Sequence, residues 1–289
     1  MSAPPDLSFR TPIPPRPVER FTLTHPAVPR GALREGGLEG LTILHVSDLH
    51  TRRAALQTAR VQDLLRAVEM TPADLVVLTG DLMDEPGHEP ATMEVLAALA
   101  ERWKPRLGVF STGGNHDSAR LARLMERDLP QIRRLDGRVL DLAIGPCTLR
   151  LAGLGWPEDT LGTLVDVPPP DPRSPVLTIA LAHHPTCVVA AADAGLPIVL
   201  AGHTHAGQVR LHARLAPHTS SDLPPDKATG VLRLRGTLCC ISRGVGDGVV
   251  EGLRINCPRQ VPLYTLAHGQ MPDMPRGGST EVVTQVVAW

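Results

Sequence analysis

Asp48 and His50, in Asp-Leu-His, put a carboxylate and an imidazole two residues apart directly after an apolar run. Gly80-Asp81 places another carboxylate after a second such run, and Gly114-Asn115-His116-Asp117 follows a third. His183-His184 closes a later run in Leu-Ala-His-His-Pro, and Gly202-His203-Thr204-His205 follows the next. As donors these elements offer two Asp, four or five His and one Asn. That mix of hard oxygen and imidazole suits first-row divalent ions, not calcium, which takes oxygen throughout. One tetrahedral zinc takes four ligands, so the set is too large for a single ion and fits two ions sharing a carboxylate. Singly, Asp-x-His or Gly-Asp reads as a solvated loop or a turn. Five elements, each at a strand end, read as a site.

Such donors need rigid elements behind them, and the carboxyl ends of strands are where open α/β sheets bind ligands. Leu41 to Val46 has the pattern of a buried strand, as does Leu75 to Thr79. Gln57 to Met70 has helical spacing, with Val61, Leu64, Leu65 and Val68 on one face. The rhythm repeats with a helix over Ala91 to Trp103, a strand over Leu107 to Ser111 and a helix over Ser118 to Arg127. Strand–helix alternation predicts an α/β layered domain. The second half reads as strands with few helices: Thr148–Leu154, Leu177–Ala182, Ile198–Ala201, Gln208–Leu211, Thr237–Ser242 and Pro262–Ala267. A weaker strand is expected near Phe21 to Thr24. Three segments result: a proline-rich arm over 1–20, a catalytic domain over 21–267 and a C-terminal tail over 268–289 that starts rich in Gly and Pro.

Composition narrows the function. A formal net charge of -1 gives no global basic field for nucleic acid. Three Phe, three Trp and one Tyr are too few for a base-stacking platform along a strand of nucleic acid. The five cysteines, at 147, 187, 239, 240 and 257, fit no paired zinc module and read as small buried hydrophobes. No run approaches the roughly 20 apolar residues of a transmembrane helix. The arm lacks the apolar centre of a secretory signal, so a cytoplasmic location is expected. There is no Gly-x-Ser-x-Gly elbow and no Walker-type phosphate loop. Oligomeric state is not legible.

These motifs resemble the calcineurin-like metallophosphoesterase superfamily, whose signature runs D-x-H, G-D, G-N-H-D/E, H and G-H-x-H. The further stretches Gly-Gln-Val-Arg-Leu (207–211) and Ser-Arg-Gly-Val-Gly (242–246) are similar to the branch containing the YkuE- and YaeI-type phosphodiesterases. The resemblance implies a four-layer α/β fold, a two-sheet β-sandwich flanked by helices. It also implies that Asp48, His50, Asp81 and His205 hold one metal, while Asp81, Asn115, His183 and His203 hold the other. Manganese is the first expectation for both, with Fe, Zn, Co and Ni as alternatives. Two points depart from the branch: Ala206 replaces a usual glycine, and Thr51-Arg52 replaces a glycine-bearing turn.

The expected reaction is hydrolysis of a small phosphodiester by a hydroxide shared between the metals. A phosphomonoesterase using the same site and a non-catalytic scaffold of this fold are the alternatives. His116 is expected to donate to the phosphoryl oxygen or the leaving alkoxide, with Asp117 accepting its Nδ1–H and orienting the ring. His184, Arg52 and Arg243 are candidates to touch substrate, each with a plain surface role as the alternative. His45, in mid-strand, reads as structural.

Overall fold

The computed structural model describes residues 18–156, 175–211, 216–248 and 250–271. Most of the proline-rich arm and of the C-terminal tail therefore lies outside the described residues. Among the described residues twelve strands form two mixed six-stranded sheets. In chain order they are β1 (Val18–His25), β2 (Thr42–Val46), β3 (Leu75–Thr79), β4 (Val109–Thr112), β5 (Ile132–Arg134), β6 (Val139–Ile144), β7 (Cys147–Leu154), β8 (Val176–Ala182), β9 (Ile198–Ala201), β10 (Gly230–Leu234), β11 (Thr237–Ile241) and β12 (Val261–His268). The first sheet has the order β1-β12-β2-β3-β4-β5, and the second β10-β11-β9-β8-β7-β6.

The strands of the first sheet that carry the motifs pair in parallel, β2 on β3 and β3 on β4. Helices α1 (Ala59–Glu69) and α2 (Glu89–Arg102) make the crossovers between them, and α3 (Ala119–Asp128) follows β4. Alternation along the strands sorts the side chains into layers. Leu44, Val46, Val76 and Leu78 pack against the helices with Val61, Leu64 and Leu96. Their neighbours Ile43, Leu75 and Val77 turn the other way and meet Leu149, Ile179 and Leu200 of the second sheet. A third cluster joins Ala180, Val199 and Ile241 to the short helix α4 (Val188–Asp193). Helix, sheet, sheet and helix make four layers, as the resemblance implies. Being covered on both faces explains why β3 is a continuous apolar run rather than an alternating one.

The boundaries moved where local pattern was silent. The weak strand near Phe21 runs over Val18–His25 and pairs in parallel with β12 along its length, so it takes in part of the expected arm. The strand expected over Gln208–Leu211 is a single bridge, Val209 to Ile255. Ala206 and Gln208 take left-handed φ values of 53° and 55°, which stop a ladder from starting there. Strands β5, β6 and β10 and helix α4 had no expectation against them; the first three are short or half-exposed. All five cysteines are free and four are buried. Among the described residues no helix is long and apolar enough to cross a membrane.

Candidate metal centre

The carboxyl ends of β2, β3, β4, β8 and β9 meet at one edge where the two sheets face each other. Backbone hydrogen bonds extend the sheet beyond the strands and fix the loops. The Asp48 amide donates to the Gly80 carbonyl and the His50 amide to the Asp81 carbonyl, each at 3.0 Å, and the Gly202 amide donates to the His183 carbonyl at 3.0 Å. Ser118 caps α3 by accepting from the Leu121 amide at 3.0 Å, which pins the start of that helix directly after Asn115-His116-Asp117. Close approach explains the glycines. A Cβ on Gly80, where φ is 83°, would lie 2.6 Å from the Gly114 nitrogen and 2.7 Å from His183 Nδ1. A Cβ on Gly114 would strike the Asp81 carboxylate.

Five of the expected ligands sit on left-handed backbone: Asp48 (φ 51°), His50 (41°), Asp81 (50°), His203 (71°) and His205 (49°). Non-glycine residues avoid this region, and each such position costs about 1–3 kcal/mol. The surrounding hydrogen bonds hold that strain in place, and it points all five side chains inward.

Asp81 Oδ2 is the hub. It lies 3.1 Å from His183 Nε2, 3.5 Å from His50 Nε2 and 4.0 Å from His116 Nε2. On one side Asp48, His50 and His205 bring donor atoms together, and on the other Asp81, His183 and His203 do so. Asn115 Oδ1 is 3.0 Å from His183 Nε2 on that second side. Each ring nitrogen facing away from the hub is already engaged. His183 Nδ1 bonds the Thr79 carbonyl at 2.8 Å, His203 Nε2 the Ser220 carbonyl at 2.6 Å, and His50 Nδ1 the Asp84 carboxylate at 3.1 Å. Carbonyl and carboxylate oxygens only accept, so these nitrogens carry the protons. The opposite nitrogens converge on one another: His203 Nδ1 on His183 Nε2 at 3.1 Å, and His50 Nε2 on His205 Nε2 at 3.0 Å, while His205 Nδ1 accepts from Arg254 at 3.3 Å. His50 Nε2 and His203 Nδ1 bring lone pairs to the buried Asp48 and Asp81 carboxylates, and donors so grouped suit cations held among them. The donor set therefore fits divalent metals.

The electrostatics agree. Burial alone would raise the Asp81 carboxyl, but His183, His50 and His116 outweigh it and hold it well below the usual carboxylate range. Burial alone would lower His183, but the Asp81 and Asp48 carboxylates raise it to about 9. His203 is pushed down to about 3 by burial and by the neighbouring His183 and His184. Asp48 is raised by burial, with the Asp81 charge adding to the shift. In the metal-free protein a proton thus stands in for the cation.

Asp117 and His116 depart from expectation. The Asp117 carboxylate accepts from the Leu82, Met83 and Gly114 amides at 2.9–3.1 Å. It clamps the β3 loop to the β4 loop, and burial together with the Asp81 charge pushes its carboxyl up to about 6. The His116 ring is instead held through Nδ1 by the backbone carbonyl of Asp84, because the Asp117 oxygens are already taken by amides. Asp84, three residues past Asp81, was not singled out from sequence. It orients His50 with its side chain and His116 with its backbone, and it receives Arg52 Nε at 2.7 Å. A second acid following Gly-Asp at helical spacing was the signal available.

Arg52 also reaches Glu251 at 2.6 Å. It lines a cleft of about 420 Å³ with Asp84, Asn115, His116, Ser118 and Gly248. Arg243 is buried and bonds Glu19 of β1 and the Pro258 carbonyl, which ties the second sheet's edge to the first. His184 is stacked between the rings of Trp156 and His203. His45 is fully buried and bonds the Thr79 hydroxyl at 2.7 Å. Sequence reasoning also missed Arg254, buried at 3.3 Å from His205 Nδ1 and ion-paired to Asp247 at 3.0 Å.

The family's sequence profile, that of the calcineurin-like phosphoesterases, matches residues 41–207, more than half of the chain. The chain belongs to the calcineurin-like phosphoesterase family. Among curated relatives it is 26% identical over 179 residues to the uncharacterized metallophosphoesterase YkoQ of Bacillus subtilis, covering 58% of this chain and 62% of that one. It is 26% identical to the uncharacterized metallophosphoesterase YkuE of the same organism, covering 82% of each. It is 28% identical to the phosphodiesterase YaeI of Escherichia coli, covering 78% of this chain and 81% of that one. As a metallophosphoesterase, the chain has its ligand motifs within the matched segment, and β10, β11 and β12 lie beyond it.

Proposed function

We propose that this metallophosphoesterase hydrolyses small phosphodiesters with two divalent ions held side by side. One observation carries the reading: a single Asp81 oxygen faces donors of both ligand groups, with His50 at 3.5 Å and His183 at 3.1 Å. Asp48, His50 and His205 would complete one ion's ligands, and Asn115, His183 and His203 the other's. Such a pair supplies Lewis acidity and brings the pKa of a bound water toward about 7.

The remaining chemistry belongs to side chains. His116 is half-buried on the cleft wall, with Nδ1 committed to Asp84 and Nε2 turned to the hub. It would donate from Nε2 to the leaving oxygen or to a phosphoryl oxygen. Arg52, braced by Asp84, would draw the phosphate into the cleft. Asp48, His50, Asp81, His183 and His205 are themselves buried. Diester preference rests on the likeness to YaeI.

The test uses metal-stripped protein with bis-p-nitrophenyl phosphate and p-nitrophenyl phosphate, Mn²⁺ added back, and Asp81→Ala as control. Metal-dependent diester cleavage that the variant loses is the expected result. Preference for the monoester would turn the reading to a phosphatase. No turnover and no bound metal would refute catalysis at this site.

A further inference from the structure

Of the exposed large apolar side chains among the described residues, Trp156 is the aromatic one, and it stands beside the metal centre. It follows β7, whose carboxyl end lies next to that of β8 and so next to His183 and His184. Its indole stacks on His184 with ring centres 4.7 Å apart and planes 20° apart. His184 stacks in turn on His203, 3.6 Å away at 27°. His203 is a ligand candidate. Three near-parallel rings therefore lead from the ligand cluster outward.

The order of the rings assigns their roles. His184 is covered on one face by His203 and on the other by Trp156, so it offers substrate no ring face. It is the pedestal that sets the tilt of the indole. Trp156 has one face on that pedestal and keeps 41% of its surface exposed. A large, rigid π-surface held at a fixed distance from a phosphate-binding centre suits one flat group joined to the phosphorus by a short spacer. The base, sugar and phosphate of a nucleotide have that arrangement. A single platform and a near-neutral chain fit one nucleotide rather than a polynucleotide.

We propose that Trp156, seated on His184, is the stacking platform for the nucleobase of a nucleotide ester whose phosphorus is bound at the Asp81 centre. This rests on the phosphoesterase reading. Stacking is tolerant of base identity, so the platform selects nucleotides over non-aromatic phosphoesters and discriminates little among bases.

Calorimetric titration of the Mn²⁺-loaded protein with AMP and with ribose 5-phosphate, which share the sugar phosphate and differ in the base, tests it. In the wild type AMP is expected to bind tighter by about 5- to 150-fold. Trp156→Ala should bring AMP down to the level of ribose 5-phosphate and leave ribose 5-phosphate unchanged. Trp156→Phe should keep most of the preference. Equal affinity for the two ligands in the wild type overturns the platform, as does equal weakening of both by Trp156→Ala. Either result, alongside metal-dependent cleavage of bis-p-nitrophenyl phosphate, removes the platform and leaves the phosphoesterase reading standing. Binding of neither ligand overturns the platform, and the phosphoesterase reading falls with it only if bis-p-nitrophenyl phosphate turnover and bound metal are absent too.

Discussion

The ligand cradle and the rim of the cleft are built in different ways. In the cradle, Asp48, His50, Asp81, His203 and His205 sit on left-handed backbone, held by loop-to-loop amide bonds and by glycines that let the loops touch. Main-chain amide bonds tie the loops to one another there, and the side chains they present meet across segments far apart in sequence. At the rim of the cleft Arg52 meets Glu251, and beside the ligand cluster Trp156 meets His184, each contact made by side chains alone. Backbone-held geometry tolerates little change in residue type. Side-chain contacts at a wet edge can be exchanged at small cost. Under the proposed function the cradle would set the chemistry and its surroundings what enters.

The largest effect should come from the hub. Asp81→Ala is expected to empty both metal positions and drop hydrolysis to background, read by elemental analysis and the diester assay. Retention of both metals would break the claim that one carboxylate serves both sides. His116→Ala should keep the metals while lowering kcat by about 10²–10⁴, the usual worth of a positioned proton donor. Parallel loss of metal and activity would move His116 into the cradle. Asp84→Asn keeps the backbone carbonyl that holds His116 but weakens the acceptor behind His50. Metal affinity should fall about 10–100-fold by chelator competition, with kcat near wild type once the protein is loaded. An unchanged affinity would show that His50 needs no orienting partner.

Proton release gives a smaller and graded effect. His183 holds its proton up to about 9 in the metal-free protein, and a ligand must be deprotonated to bind metal. Below that pH the metal must displace the proton, so affinity should rise with pH toward 9 by up to about tenfold per pH unit. Calorimetry in two buffers of different ionisation enthalpy counts the protons released; a count of zero would contradict the assignment. The smallest effect is expected at Ala206, whose φ is 53° and whose side chain is buried. Ala206→Gly relieves about 1–2 kcal/mol of left-handed strain, against about 0.5–1 kcal/mol of added backbone freedom and about 0.8 kcal/mol of lost methyl burial. Unfolding free energy should change by less than about 1 kcal/mol. A larger loss would show that the methyl group supports His205.

The sequence by itself determined the strands and the donor residues at their ends, which are the proposed ligands. Apolar runs with short-range punctuation mark buried strands, and Asp-x-His, Gly-Asp, Gly-Asn-His-Asp and Gly-His-x-His are local signals at their ends. It also indicated an α/β layered domain through alternation, and the four-layer form through resemblance. Tertiary structure decided what depends on distance between segments. It gave the orienting of His116 to the Asp84 carbonyl, because backbone amides had taken Asp117. It buried Arg243 against Glu19, and it turned the expected strand after His205 into a single bridge. It placed Trp156 over His184, two rings out from His203. No local period encodes such meetings, since each depends on which loops the two sheets bring to the same edge.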